Sequence, residues 1–112
     1  MLNKNNQYSL SDVISYMKFI DSRDDNFCLY GEAEEELKIN GNYYVLDFPE
    51  VDDNDKEIYP KIAQDKKLYY LYSGQQFADV IDSVVAQKPS ASLAEFVKAL
   101  NFYSKNDNFL DF

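Results

Sequence analysis

The hydrophobic pattern of this chain changes its period twice, and this change constrains the fold more than any other feature. Near the N-terminus, and again after residue 73, apolar residues recur at helical spacing, which predicts amphipathic helices. Short runs of β-branched and aromatic residues between these segments predict strands. Strands grouped between helices favour the α+β class. We expect a single domain over residues 1–112, with a small antiparallel or mixed sheet of about three strands in mid-chain, one N-terminal helix and a C-terminal pair of helices packed on the sheet.

The N-terminal helix is predicted to begin after Ser9. Ser9 and Asp12 form a start motif in which a hydroxyl accepts a backbone N–H and a carboxylate favours the positive end of the helix. The polar segment 21–26 should end this helix after about three turns. Its apolar stripe consists of Leu10, Val13, Ile14, Met17 and Ile20.

Two further helices are predicted near the C-terminus, each preceded by a capping box. Ser73 and Gln76 form the first box, and Ser92 and Glu95 form the second. The segment 88–90 contains a proline and separates the helices, which favours an αα-hairpin. The apolar residues of the tail, which we expect to pack back on the core, are Phe109, Leu110 and Phe112.

Three runs in mid-chain predict strands, namely 27–30, 43–48 and 68–72. Between the first two, Asn40-Gly41 predicts a type I′ hairpin turn, because both residues tolerate a positive φ. The segment 34–39 before this turn is compatible with a strand or with a turn of helix, and 50–57 predicts an acidic loop. Because side chains alternate along a strand, the residues expected to face the core from the second strand are Tyr44, Leu46 and Phe48. In the third strand, the residues expected to share one face are Leu68, Tyr70 and Tyr72.

Composition excludes several functional classes. Twenty acidic residues against eleven basic ones give a net charge of −9, which argues against direct binding of nucleic acid. The absence of histidine removes the commonest metal ligand and general base, and a single cysteine excludes an intrachain disulfide. We therefore expect no metal and no cofactor. The polar N-terminus and the lack of a run of ~20 apolar residues predict a soluble cytoplasmic protein without a membrane partner.

The excess negative charge is concentrated in one segment, residues 32–57, which holds ten acidic and two basic residues and so carries a net charge of −8. We expect these acids to gather at one end or edge of the sheet, where they would attract a basic protein. A solvated surface that aids solubility is the alternative. The expected main contact residues are Glu32, Glu34, Glu35, Glu36, Asp47 and Glu50. The expected supporting residues are Asp52, Asp53, Asp55 and Glu57.

Other candidate sites have weaker support. An EF-hand loop requires glycine at its sixth position and glutamate at its twelfth, and counting from Asp52 or from Asp53 satisfies neither requirement. Cys28 lies in an apolar run and has no histidine to activate it, so we expect a buried thiol and not a nucleophile. A pair of carboxylates could serve acid–base catalysis if one were buried with a raised pKa, but many acids supply many pairs.

Several short segments resemble an uncharacterised bacterial domain family. They are 57–60, 77–81, 87–89 with Ala91-Ser92, 99–103 and 106–109. Proteins of this kind are similar to the small acidic immunity proteins of contact-dependent growth inhibition and other polymorphic toxin systems. The resemblance implies a cytoplasmic inhibitor that binds a cognate toxin C-terminal domain, a basic protein and often a nuclease.

We therefore expect an immunity protein that neutralises a toxin domain through an acidic surface, that has no enzymatic activity and that is a monomer when free. One alternative is a small enzyme that uses two carboxylates, which would require a deep pocket. The other is a structural or regulatory protein that self-associates through an exposed sheet edge.

Overall fold

The computed structural model describes residues 2–112, and within that range the chain forms six strands and four helices. The strands are β1 (Asn6–Ser9), β2 (Cys28–Gly31), β3 (Asn42–Leu46), β4 (Glu50–Val51), β5 (Glu57–Ile58) and β6 (Tyr69–Ser73). The helices are α1 (Leu10–Met17), α2 (Lys61–Asp65), α3 (Gly74–Gln87) and α4 (Leu93–Asn106). No helix within residues 2–112 combines the length and the apolar character needed to cross a bilayer.

The three longer helices begin where the sequence predicts. The Ser9 hydroxyl accepts a hydrogen bond from the backbone N–H of Asp12 at 3.1 Å, and Ser73 caps α3 in the same way. A complete capping box forms only at α4, where Ser92 and Glu95 each accept from the other's backbone N–H. These contacts satisfy N–H groups that the first turn of a helix leaves without partners.

Helix α1 is shorter than predicted, because it ends at Met17 and leaves Ile20 63% exposed. The chain turns away after Met17 and is fixed there by Arg23. The Arg23 guanidinium donates to the Met17 carbonyl at 3.0 Å and makes two hydrogen bonds of 2.7 Å to the carboxylate of Asp82 on α3. The loop after α1 is thus attached to α3 by a bidentate ion pair, a geometry that arginine favours.

Four strands form one antiparallel sheet in the order β1-β3-β2-β6, and β4 and β5 form a separate two-stranded hairpin. The predicted α+β class, with an N-terminal helix and two C-terminal helices, is confirmed. The sheet has one strand more than the expected three, because β1 pairs with β3. The segment 50–57, which was expected to be an acidic loop, instead forms most of this hairpin, which begins at Glu50 and ends at Ile58.

The predicted type I′ turn at Asn40-Gly41 is wrong, since neither residue has a positive φ. The segment before it is neither strand nor helix, and a ten-residue connection over 32–41 joins β2 to β3. Its last four residues form a turn in which the N–H of Gly41 donates to the carbonyl of Lys38 at 2.8 Å. The partners of β3 are therefore β1 and β2, and not the segment 34–39.

Both faces of the sheet are covered by hydrophobic side chains, whereas the sequence predicted a core on only one face of β3. Val45 packs into the main core with the helices α1, α3 and α4. Leu46 packs into a smaller core on the opposite face, together with Cys28, Tyr30 and Ala63 of α2. Short helix α2 thus covers the face of β3 that was expected to be core-facing, and the long helices cover the other face.

A β-bulge changes the predicted alternation in β6. Leu29 pairs with Tyr72 and the next residue, Tyr30, pairs with Tyr70, so Leu71 is the additional residue. Tyr72 and Leu71 consequently both pack against the main core, whereas Tyr70 contacts Tyr30 on the other face. The prediction that Tyr70 and Tyr72 share a face is therefore wrong.

The C-terminal tail returns to the core as predicted, although its aromatic rings stay partly exposed. Leu110 packs against the main core, and the ring of Phe109 lies 5.1 Å from that of Tyr103. Gln87 at the end of α3 fixes the tail, donating to the Leu110 carbonyl at 3.0 Å and accepting from the N–H of Phe112 at 2.9 Å.

Candidate functional site

The ten acids of the segment 32–57 fall into two groups at opposite ends of β3. The first acidic group consists of Glu32, Glu34, Glu35 and Glu36, which lie in the connection before β3. The second acidic group consists of Asp47, Glu50, Asp52, Asp53, Asp55 and Glu57, which follow β3. A five-residue strand is roughly 15 Å long. The acids therefore leave the sheet at two ends, in contrast to the expected single end or edge.

The first acidic group lies in irregular backbone that contacts with the rest of the protein hold in place. Leu37, directly after the group, is buried in the main core. The side-chain amide of Asn101 on α4 accepts from the Leu37 N–H and donates to the Leu37 carbonyl, both at 2.9 Å. The N–H of Lys38 donates to the hydroxyl of Tyr43 at 2.7 Å. Sequence reasoning did not identify Asn101 as the residue that positions this group.

Two of the four acids in the first acidic group are paired with lysines. Glu35 lies 2.8 Å from the ammonium of Lys38, and this contact raises the pKa of Lys38. Glu36 pairs with Lys105 of α4. Glu32 and Glu34 are exposed and form no ion pair with any residue in 2–112.

A cavity of about 280 Å³ is lined by residues of this connection, of α4 and of the edge strand β6. Its lining residues are Glu34, Glu35, Glu36, Leu37, Tyr70, Leu71, Tyr72, Asn101, Ser104 and Lys105. The lining carries three carboxylates and one ammonium, so the net charge around the cavity is negative.

The second acidic group contains one carboxylate that builds the hairpin turn. The Asp52 carboxylate accepts from the backbone N–H groups of Asn54 at 2.8 Å and Lys56 at 2.9 Å. Asp55 has a φ of 61°, in the left-handed region that Asp tolerates better than most residues. Asp52 is half-buried and serves the turn. Its predicted role as a supporting contact residue thus competes with a structural one.

The other acids of the second acidic group are exposed, but two of them have partners. Asp47 forms an ion pair of 2.7 Å with Lys4, which sequence reasoning did not connect with this segment. Glu57 accepts a hydrogen bond of 2.6 Å from the hydroxyl of Tyr59, and this bond raises the pKa of Tyr59. No cluster of His, Cys, Asp and Glu within residues 2–112 is arranged to hold a metal ion.

A groove with three aromatic rings among its six lining residues lies between the hairpin and the sheet. This aromatic groove, with a volume of about 390 Å³, is lined by Phe48, Pro49, Val51, Glu57, Tyr59 and Tyr70. Buried Tyr30 supports two of its rings in edge-to-face contacts, at 6.3 Å to Tyr59 and 5.6 Å to Tyr70. The pKa of Tyr70 is raised to about 12, and burial is the main cause. The hairpin could have been predicted from the sequence, because the apolar residues Val51 and Ile58 lie on either side of the Asp-Asn-Asp turn.

Tyr70 borders a pocket of each acidic group. It lines both the aromatic groove, which contains Glu57, and the cavity that contains Glu34. Tyr70 is 41% exposed, and its neighbour Tyr69 is 44% exposed. The two acidic groups, although they leave opposite ends of β3, therefore border the same edge strand.

The remaining candidates have structural explanations. Cys28 is fully buried, and this burial raises the pKa of the thiol to about 11. Such a thiol is protonated near neutral pH and is therefore a poor nucleophile. Among the carboxyl side chains of residues 2–112, Asp82 and Glu95 have clearly shifted pKa values, and both values are lowered, by Arg23 and by Lys88 respectively. A general acid requires a shift in the opposite direction.

Fold and site together define an α+β protein with two acidic groups at its surface, the second of which borders an aromatic groove through Glu57. The chain matches the family described as "Domain of unknown function (DUF7716)" over residues 7–112, and it belongs to that family. The matched region includes the acidic groups and the hairpin. The short segments on which the resemblance in the sequence analysis rests lie mainly in the C-terminal half. No curated protein matches the chain, and no solved structure does.

Proposed function

We propose that this chain is an immunity protein, an inhibitor that binds the basic C-terminal domain of a secreted toxin through its two acidic groups. The observation that supports this proposal best is exposure, because nine of the ten acids of segment 32–57 are exposed and the tenth is half-buried. Holding like charges together on a folded surface is unfavourable, and a basic partner would relieve that repulsion.

The charge distribution suits a partner that itself binds phosphate. A nuclease needs a basic cleft for its substrate, and an array of carboxylates can compete for the same cleft. Complementary charge can raise an association rate by ~10–1,000-fold at low salt. A typical interface covers about 800 Å² on each partner, a small part of the 6912 Å² of surface on this protein.

The proposed inhibitor acts in the cytoplasm, as a monomer before it binds. A gene that adjoins the gene of this chain and encodes a large secreted protein supplies the first partner to test. Its C-terminal domain should be lethal when it is expressed alone and harmless when it is co-expressed with this chain. Loss of growth in both cases would contradict the proposal.

Charge reversal tests the role of the first acidic group in binding that domain. Glu32 and Glu34 are the suitable positions, because changing them breaks no ion pair within residues 2–112. The double variant Glu32→Lys/Glu34→Lys should slow association about tenfold at low salt and should flatten its salt dependence.

The matched control changes net charge equally at positions outside the segment. Asp79 on α3 and Asp111 in the tail are both exposed, and Asp79→Lys/Asp111→Lys alters the total charge by the same amount. Stopped-flow association should show a slowing of no more than about threefold for this control. Equal slowing of the two double variants would contradict a specific role for the acidic groups.

A further inference from the structure

The aromatic groove combines the two features that attract a cation in proteins, ring faces and a carboxylate. Phe48, Tyr59 and Tyr70 contribute rings, Glu57 contributes the charge, and no basic side chain is among the lining residues. A cation near the face of an aromatic ring is attracted by the ring's electron density.

The groups of the groove are held in place before any ligand binds. Tyr30 is fully buried, donates to the carbonyl of Asp47 at 3.3 Å and packs edge-to-face against both Tyr59 and Tyr70. The hydroxyl of Tyr59 fixes one carboxylate oxygen of Glu57, Oε2, at 2.6 Å. The other oxygen, Oε1, receives no hydrogen bond from residues 2–112 and is available to a donor from outside.

We propose that the aromatic groove receives an arginine side chain of the protein partner. This inference rests on the proposed function, which supplies a basic partner, and it identifies the place where one cationic residue inserts. A guanidinium is planar, stacks against aromatic rings and bonds carboxylates in a fixed geometry, whereas the lysine ammonium is a compact and strongly hydrated charge. The aliphatic stem of arginine can pack against Pro49 and Val51, which line the same groove.

The hairpin provides a matched control for Glu57. Val51 and Glu57 are directly opposite each other in the β4–β5 pair, and Glu50 is opposite Ile58. Adjacent side chains of a strand point to opposite faces, so Glu50 and Glu57 carry the same charge on opposite faces of one hairpin. Glu50 lines a different cavity, which also contains Lys61. Neutralising either residue changes the net charge equally, but only Glu57 belongs to the aromatic groove.

The experiment is an NMR titration of the ¹⁵N-labelled protein with the blocked tripeptide Gly-Arg-Gly. Its counterpart with citrulline, which has nearly the same shape and no charge, and its counterpart with lysine are titrated in parallel. The arginine peptide should bind with a dissociation constant of the order of millimolar, because a single side chain supplies the contact. The shifted amide signals should cluster at Val51, Glu57, Tyr59 and Tyr70.

Variants then separate the groove from general attraction by negative charge. Glu57→Gln should weaken binding of the arginine peptide at least about fivefold, whereas Glu50→Gln should change it less than about twofold. Tyr70→Leu, which keeps an apolar side chain and removes a ring, should weaken it about threefold. The amide spectrum of each variant without peptide shows whether the fold is retained.

Four results would overturn the inference. These are an absence of binding, shifts spread over both acidic groups, equal binding of the citrulline or lysine peptide, and equal weakening by Glu57→Gln and Glu50→Gln. Since the titration uses no toxin domain, any of these results leaves the proposed inhibitor function standing. Conversely, if the co-expression test fails and arginine binding is confirmed, the proposed inhibitor function is wrong and the arginine site in the aromatic groove still stands.

Discussion

Replacing Asn101 by alanine should loosen the first acidic group and destabilise the whole protein. The Asn101 amide makes two hydrogen bonds of 2.9 Å to the backbone of Leu37, in a partly buried position that joins α4 to the β2–β3 connection. Each neutral hydrogen bond contributes about 1 kcal/mol, and leaving the backbone N–H and carbonyl without partners adds to the loss. We therefore expect the free energy of unfolding to fall by about 2–3 kcal/mol.

Urea denaturation followed by circular dichroism measures this change, and thermal denaturation should show a melting temperature about 8–12 °C lower. Hydrogen exchange at the Leu37 amide should accelerate more than exchange in the centre of β3. Asn106→Ala is the control, because Asn106 is exposed on the same helix and bonds only to the Phe102 carbonyl one turn earlier. A loss below about 0.5 kcal/mol in Asn101→Ala, or one equal to that of the control, would refute the stabilising role of the hydrogen bonds between Asn101 and Leu37.

Two further predictions concern the helix ends. A Cβ added at Gly74 would collide with the carbonyl oxygens of Asp25 and Phe27. Gly74→Ala should therefore lower the free energy of unfolding by about 2 kcal/mol in urea denaturation, although alanine has the higher helix propensity. An unchanged or raised stability would contradict this close approach. At α4, the hydrogen bond from Lys88 lowers the pKa of Glu95 from 4.5 to about 2, so this pair contributes stability above pH 4.5 that is lost as the pH falls towards 2. Glu95→Gln should therefore lose less stability than the wild type between pH 4.5 and pH 2. Acid titration followed by circular dichroism measures this loss, and the same pH dependence in the variant and the wild type would contradict the prediction.

The helices could be predicted from sequence because local interactions determine them. A serine cap and an apolar stripe lie within a few residues of each other, and Ser92 with Glu95 forms the capping box that the spacing indicates. The end of α1 was missed because it depends on a distant residue. Arg23 fixes the chain after Met17 by bonding to Asp82, which lies 59 positions further along.

The sheet was harder to predict because its decisive partners are not local. Strand β1 consists of Asn-Gln-Tyr-Ser, which has no apolar alternation, and it is a strand only because β3 pairs with it. Both faces of β3 carry large apolar side chains, so periodicity alone could not show which face the long helices cover. Helix α2 has five residues and no side-chain cap, and it forms where it can cover Tyr30 and Leu46.

The concentration of acids was evident in the sequence, but their partners were not. Lys4 and Lys105 lie far from the segment along the chain and pair with Asp47 and Glu36. The aromatic groove requires Tyr70 of β6 to meet the hairpin, which is a tertiary contact. Sequence therefore predicts where the charge is concentrated, and the fold decides which carboxylates are available.

The ten acids differ in whether their carboxylates are already engaged in an ion pair or a hydrogen bond within the protein. Glu35, Glu36 and Asp47 are neutralised by lysines, and the Asp52 carboxylate is occupied by the hairpin turn. A partner that used these four would have to compete with contacts that stabilise the free protein. The acids without an ion pair or side-chain hydrogen bond within residues 2–112 are Glu32, Glu34, Glu50, Asp53 and Asp55. Water is their only competitor, so these five, with Glu57 in the aromatic groove, should dominate the attraction of a basic partner.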